Sequence, residues 1–309
     1  MIFARSVLIA WLVVCAQLAW AGPRANVQVV FDLDWTLIYP ITNEQAALET
    51  ESVVKFGNEF FRLSDHAIAA VAYLHAAGFD VSYFSGEMKD RNLAVIDFIY
   101  AKLQEQYADV GAKSWRPFAI GDVGDLEPFG NDPNARFAER LKKNIARWQP
   151  NADLTRTVLV EDMQQFAPPP KAGEVDQRRG LLWLQETFES ILDHDAWSES
   201  TPPETRTKYH PPSRERWAIE RNKIVWALGV IVSARELADS KGVVFQDALV
   251  SLTRSGDSLI PLSEPSQLRL TEKGLSLLGL PASATERHVA PNVTSCGNLQ
   301  MLNAAASGI

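Results

Sequence analysis

Cysteine is nearly absent from these 309 residues, with Cys15 and Cys296 the only two. If Cys15 is removed with a leader, no internal disulfide can form, and the fold must rest on an apolar core that a 46% apolar composition is ample to supply. Positive charge is also scarce. Thirty Lys and Arg against 38 Asp and Glu leave a net charge of -8 and a pI near 5.3, which argues against wholesale binding to nucleic-acid phosphates. Long apolar runs are lacking outside the first residues, since 224–232 is too short to span a bilayer and reads as a helix packed on the core. There is no internal repeat. Among the five histidines, His66 and His75 lack a carboxylate or cysteine at metal-ligand spacing and read as surface or helix-packing residues. Asp193-His194-Asp195 reads as an exposed helix end rather than a metal cluster.

The beginning of the chain has the layout of a secretory leader: Arg5, an apolar stretch over 7–14, and Ala19-Trp20-Ala21 before Gly22 as a small-x-small cleavage site. The expected outcome is export, to the periplasm or the medium, with no stable membrane span after cleavage. Asn292-Val293-Thr294 matches a glycosylation acceptor, but so short a match is assigned no function. The resulting division is a leader over 1–21, an α/β catalytic unit over 22–197, a Pro-rich linker over 198–213 and a helical extension over 214–309.

The rest of the chain is organised around residues 27–38. Val27, Val29, Val30 and Phe31 form an apolar strand that ends in Asp32, Leu33, Asp34, Trp35 and Thr36. Open α/β sheets bind ligands at the carboxyl ends of their strands, so two carboxylates and a hydroxyl there mark a site. Asp32 and Asp34 approach each other only if the backbone curls just after Asp32. A cation is then expected between them, because paired buried carboxylates are costly alone.

Further elements follow in order. Pieces over 53–56 and 60–62 around Gly57-Asn58 predict a hairpin. Ser64 and Asp65 predict caps for a helix to about Ala77, with Gly78 as its stop. A strand over 79–86 ends in Ser85 and Gly86, and a helix follows over 91–103 with Leu93, Ile96, Ile99 and Leu103 as its stripe. The segment 118–125 reads as a strand end and turn. A helix is expected over 134–146, carrying Lys142 and Lys143, ahead of a strand over 157–162 that ends in Glu161 and Asp162. One more strand over 180–184 and a helix to Trp197 would close the core, with helices over 214–239 and 271–280 beyond the linker.

Asp32-Leu33-Asp34-Trp35-Thr36, Ser85 at a strand end, a lysine, and Glu161-Asp162 at another strand end resemble the four motifs of the haloacid dehalogenase superfamily. The closest motif pattern is that of the RNA polymerase carboxy-terminal-domain phosphatase-like subgroup. The resemblance covers 27 to about 165 and implies a three-layer, Rossmann-like parallel sheet with a minimal hairpin cap, a form open to large substrates. It implies a phosphomonoester hydrolase working through an aspartyl-phosphate. Asp32 would be the nucleophile and Asp34 the acid and base, with Ser85 on the phosphoryl group and Thr36 orienting the loop. Lys143, with Lys142 as alternative, would neutralise charge. Mg²⁺ would be held by Asp32, the Asp34 carbonyl and Asp162, with Glu161 direct or through water. The substrate would be a phosphorylated small molecule or phosphoprotein. Two other readings stay open: a phosphotransferase, and a secreted non-catalytic binding protein with the same fold. Because all four motifs precede 198, the extension is expected to be dispensable for chemistry.

Overall fold

Strand β1 (Gln28–Phe31) is buried on both faces, and the remainder of the molecule is layered around it in a computed structural model. Described are residues 26–48, 50–130, 132–185, 192, 194–207, 210–254 and 263–282. The leader, Cys296 and the 292–294 tripeptide lie outside them. Nine further strands follow: β2 (Ile38–Ile41), β3 (Val53–Phe56), β4 (Glu59–Leu63), β5 (Asp80–Phe84), β6 (Ile120–Gly121), β7 (Glu127–Pro128), β8 (Leu141–Lys142), β9 (Thr157–Glu161) and β10 (Leu181–Trp183). The main sheet has the order β10-β9-β1-β5-β6 and is parallel throughout, as the α/β expectation required.

Alternation along these strands feeds two apolar layers. Val29, Phe31, Val81, Tyr83, Val158 and Val160 point to one face, and Val30, Phe84, Leu159 and Leu181 to the other. The first face carries helices α1 (Ala67–Ala76) and α2 (Lys89–Gln106). The second is covered by shorter pieces that include Ile145 and Trp148. The chain leaves β1 toward β5 and β6, then returns to lay β9 on its other side. That reversal opens a crevice at the carboxyl ends of β1 and β9, where such sheets bind ligands.

The hairpin forms as expected. β3 and β4 pair antiparallel, with Gly57 at φ 60 in the turn, and β2 adds a third strand. Segment 118–125 is a short strand and a turn capped by Asp122, again as expected. Two expectations are corrected. Ser64 and Asp65 do not cap α1; its N-cap is His66 at φ 61, while Ser64 Oγ donates to the Thr36 carbonyl at 2.8 Å and Asp65 pairs with Arg62 and Arg221. The helix expected over 134–146 is interrupted. A single turn (Phe137–Arg140) gives way to β8, which pairs with β7, and a second turn begins at Ile145. The ribbon wins because Phe129 N donates to the Arg140 carbonyl at 2.6 Å and Lys143 N to the Phe166 carbonyl at 2.9 Å, bonds a continuous helix would forgo.

His66 is buried and His75 packs between helices, stacking on Trp115 at 5.3 Å between ring centroids and meeting Tyr100 Oη at 2.8 Å. Burial pushes the His75 imidazole down to about 4.

Beyond the linker come α3 (Arg214–Arg221), α4 (Lys223–Lys241), α5 (Phe245–Thr253) and α6 (Glu264–Leu277). Ile224, Val225, Leu228 and Ile231 share one apolar cluster with β1, β5 and α1, so these helices are packed on the sheet layer. Gly229 and Gly274 let α4 and α6 cross in backbone contact, since a Cβ on either would stand 2.0 Å from a carbonyl of the other helix. Among the described residues, no helix is long and apolar enough to cross a membrane.

Candidate active site

The backbone curls immediately after Asp32. The Leu33 carbonyl accepts from Thr36 N, Leu37 N and Ile38 N, Trp35 N donates back to the Ile38 carbonyl at 2.7 Å, and Trp35 sits at φ 55. The curl forms as expected, but it corrects the expectation of a cation between Asp32 and Asp34: Asp32 is grouped with Glu161 and Asp162, and the Asp34 carboxylate turns to Arg91 and Ser85. Thr36 is fully buried within the turn, bonded through its backbone.

Asp32 N donates to the Val160 carbonyl at 3.0 Å, which sets the end of β1 beside the end of β9. Asp32, Glu161 and Asp162 then bring carboxylate oxygens within 4.8 Å of one another. Lys143 Nζ lies 2.6 Å from both Asp32 Oδ1 and Glu161 Oε2, and the lysine is 1% exposed. Lys142 goes the opposite way, as successive residues at a strand end do, and donates to the carbonyls of Ala138 and Gln165. Only Lys143 reaches the acids. Glu161 uses its other oxygen to accept from Met163 N at 3.1 Å, leaving Asp162 as the more open acid of that pair.

Burial raises the Asp32 carboxyl well above its ordinary range, with repulsion from Glu161 adding to it and Lys143 opposing. Burial likewise pushes Glu161 up to about 8 and Asp162 up to about 6, helped by repulsion from Asp162 and from Asp32 respectively. Burial alone would lower Lys143, but Asp32 and Glu161 hold it above its usual value. Three carboxylates confront one contacting amine, an imbalance that a divalent cation would correct. The all-oxygen donor set and the partly open Asp162 suit a hard ion such as Mg²⁺.

Asp34 faces the other way. Arg91, from the first turn of α2, grips its carboxylate with both terminal nitrogens, Nη1 lying 2.9 Å from Oδ2, and Ser85 Oγ donates to the same oxygen at 3.2 Å. Arg91 also lies over the Phe61 ring of β4, 4.5 Å from its centroid, which ties the hairpin sheet to the site.

Asp32, Asp34, Ser85, Lys143, Glu161 and Asp162 are therefore gathered at one crevice, whereas Lys142 faces away and Thr36 is buried in the turn behind it. Three contributors were not anticipated: Arg91, Trp183, whose Nε1 donates to the Asp162 carbonyl at 2.9 Å, and Lys223 of α4, which donates to the Trp35 carbonyl at 2.8 Å. Arg91 and Lys223 had one legible signal, a cation in the first turn of a helix, where the dipole disfavours it unless an acceptor is near.

No family model matches this chain, and no curated protein does. Fourteen chains among solved structures match. The chain is similar to Fcp1, an essential RNA polymerase II CTD phosphatase, over 80% of its own length and 79% of that chain, at 12% identity and a TM-score of 0.36. A variant of the fission yeast enzyme bound to beryllium fluoride gives 0.34 at the same identity and coverage. Both belong to the subgroup whose motif order the sequence resembles, but at this level of superposition the likeness decides nothing about the reaction. The chemistry has to be read from this chain's own residues.

Proposed function

We propose that the protein is a phosphomonoester hydrolase in which Asp32 is the nucleophile. The observation that carries this reading is the opposite treatment of two neighbouring carboxylates, Asp32 buried against Lys143 and Asp34 held apart by Arg91 and Ser85. Hydrolysis of a phosphate monoester needs an aligned attacker, neutralised charge and a proton for the leaving oxygen. Asp32 Oδ1 is engaged by Lys143, so Oδ2 is the oxygen that attacks phosphorus, forming the acyl-phosphate bond as the ester P–O bond breaks. Asp34 gives its proton to the departing alkoxide, then takes one from the water that attacks phosphorus, releasing phosphate and restoring Asp32. Before it can act, Asp34 must be protonated and loosened from Arg91, and an arriving phosphate competes for that guanidinium. Ser85 Oγ, which donates to Asp34 here, would donate to a phosphoryl oxygen once substrate is bound. Lys143 holds charge on Asp32 and Glu161 in place. A Mg²⁺ ion held by Asp32, Asp162 and the Asp34 carbonyl would offset the negative charge of the phosphoryl group.

The hairpin sheet that meets the crevice through Phe61 and Arg91 is small, which supports a phosphoprotein or another bulky phosphate ester as substrate over a small ester sealed from solvent. The test is phosphate release from a panel of aryl, alkyl and peptide phosphates, with and without Mg²⁺. Release that depends on Mg²⁺ is expected, and a panel with none refutes the reading. Transfer to an added alcohol in place of water would make the protein a phosphotransferase.

A further inference from the structure

Lys223 opens α4 with its side chain 2% exposed, ahead of a run of apolar residues buried in the core. A buried ammonium is costly unless it finds acceptors and counter-charge, so its direction is informative. Its Nζ donates to the carbonyl of Trp35, 188 residues earlier in the chain and next to Asp34. Trp35 is one of three non-glycine residues at positive φ among those described, a conformation that strains a bulky side chain. The neighbouring carbonyls are held as well: Thr36 O by Ser64 Oγ and Leu37 O by Ser64 N, each at 2.8 Å. Arg221, two residues before Lys223, pairs with Asp65 at 2.6 Å, beside the second such residue, His66. The C-terminal helices thus grip the turn that carries Asp34 and the segment that braces it. The close α4–α6 crossing at Gly229 and Gly274 fixes where along its axis α4 presents Lys223.

The geometry points to Lys223 as a positioning residue of the active site, one that holds the turn presenting Asp34. Its effect on turnover rests on the phosphatase reading; its effect on the turn does not.

The test uses the full chain with Lys223→Met and Lys223→Arg, read by turnover of an alkyl and an aryl phosphate and by amide hydrogen exchange over 33–38. Lys223→Met is expected to hydrolyse the alkyl ester roughly 10- to 100-fold more slowly with little change in KM, because Asp34 is no longer held in place, while the aryl ester still forms the intermediate. Exchange should rise over 33–38 and stay unchanged in the central strands. Lys223→Arg, which keeps a buried donor, should restore both. Equal slowing of both esters with no trapped intermediate, or unchanged exchange over 33–38, overturns the inference. If Lys223→Met does not fold, Lys223→Gln, whose shorter side chain stops short of the Trp35 carbonyl, reads the same shifts. If the wild type releases no phosphate from any ester while exchange over 33–38 still rises in Lys223→Met, the phosphatase reading fails and the positioning role stands.

Discussion

Asp32 and Asp34 are two residues apart, yet they live in different electrostatic worlds. Asp32 is 4% exposed and shares its surroundings with two more carboxylates and one lysine, whereas the Asp34 side chain is 31% exposed and meets an arginine of its own. The cause is the curl over 33–38, which turns what would be two side chains on one face of a strand into two separate sites. One carboxylate is left short of positive charge and the other is locally balanced. A nucleophile beside a cation site and a proton carrier beside solvent need that difference, and chemically identical groups acquire it from their neighbours alone.

The sharpest way to break the comparison is to remove the proposed nucleophile. Asp32→Asn should abolish turnover on aryl and alkyl phosphates alike and show no phosphoryl mass increment after a brief acid quench, because no covalent intermediate can form. An increment on that variant would place the nucleophile elsewhere. Asp34→Asn should fail selectively. Alkyl esters, whose leaving oxygen needs a proton, should slow by about 10² to 10⁴, while an aryl ester still forms the intermediate and lets it accumulate. Equal slowing of both esters with no trapped enzyme would remove Asp34 from the proton transfers.

Lys143→Met tests the charge imbalance on the Asp32 side. Asp32 and Glu161 would be left without their contacting amine, and unfolding by denaturant in the presence of a chelator should show a loss of about 3–5 kcal/mol. Added Mg²⁺ should recover part of it. A midpoint indifferent to Mg²⁺ in both wild type and variant would mean that the cluster is not a cation site. The smallest effect is expected at the other pole. Arg91→Lys keeps the charge but loses the two-pronged grip on Asp34 and the stacking on Phe61, and should lower kcat/KM for alkyl esters by roughly tenfold while sparing intermediate formation from aryl esters. Equal loss on both ester types would assign Arg91 to general structure rather than to Asp34.

Some of this was legible in the chain. Acidic residues directly after apolar strands, at 32, 34, 161 and 162, do not belong in a core, and the strands that carry them form where their apolar patterns predict. Lys143 was legible as a residue but not by its element. Its neighbours have helical spacing, and the ribbon that displaces the helix forms only because Glu127 and Pro128 lie alongside. The leading role of Lys143 over Lys142 follows from that strand alternation. Arg91 and Lys223 were hidden because a cation on a helix usually faces water, and periodicity does not say which helix end meets which loop. Treating everything after 213 as separate from the chemistry failed to anticipate Lys223 and Arg221, whose partners lie more than 150 residues away.

By itself the sequence determined the parallel sheet, its central strand and the acids at the strand ends, because alternation, turn residues and strand-end polarity are local properties that short segments carry with them. The tertiary structure alone decided the rest: the curl that separates Asp32 from Asp34, the lysine that reaches them, and the arginine and C-terminal lysine that hold the turn. Those assignments depend on Coulomb and hydrogen-bond interactions over a few ångströms, between groups that only the packing of distant segments brings together.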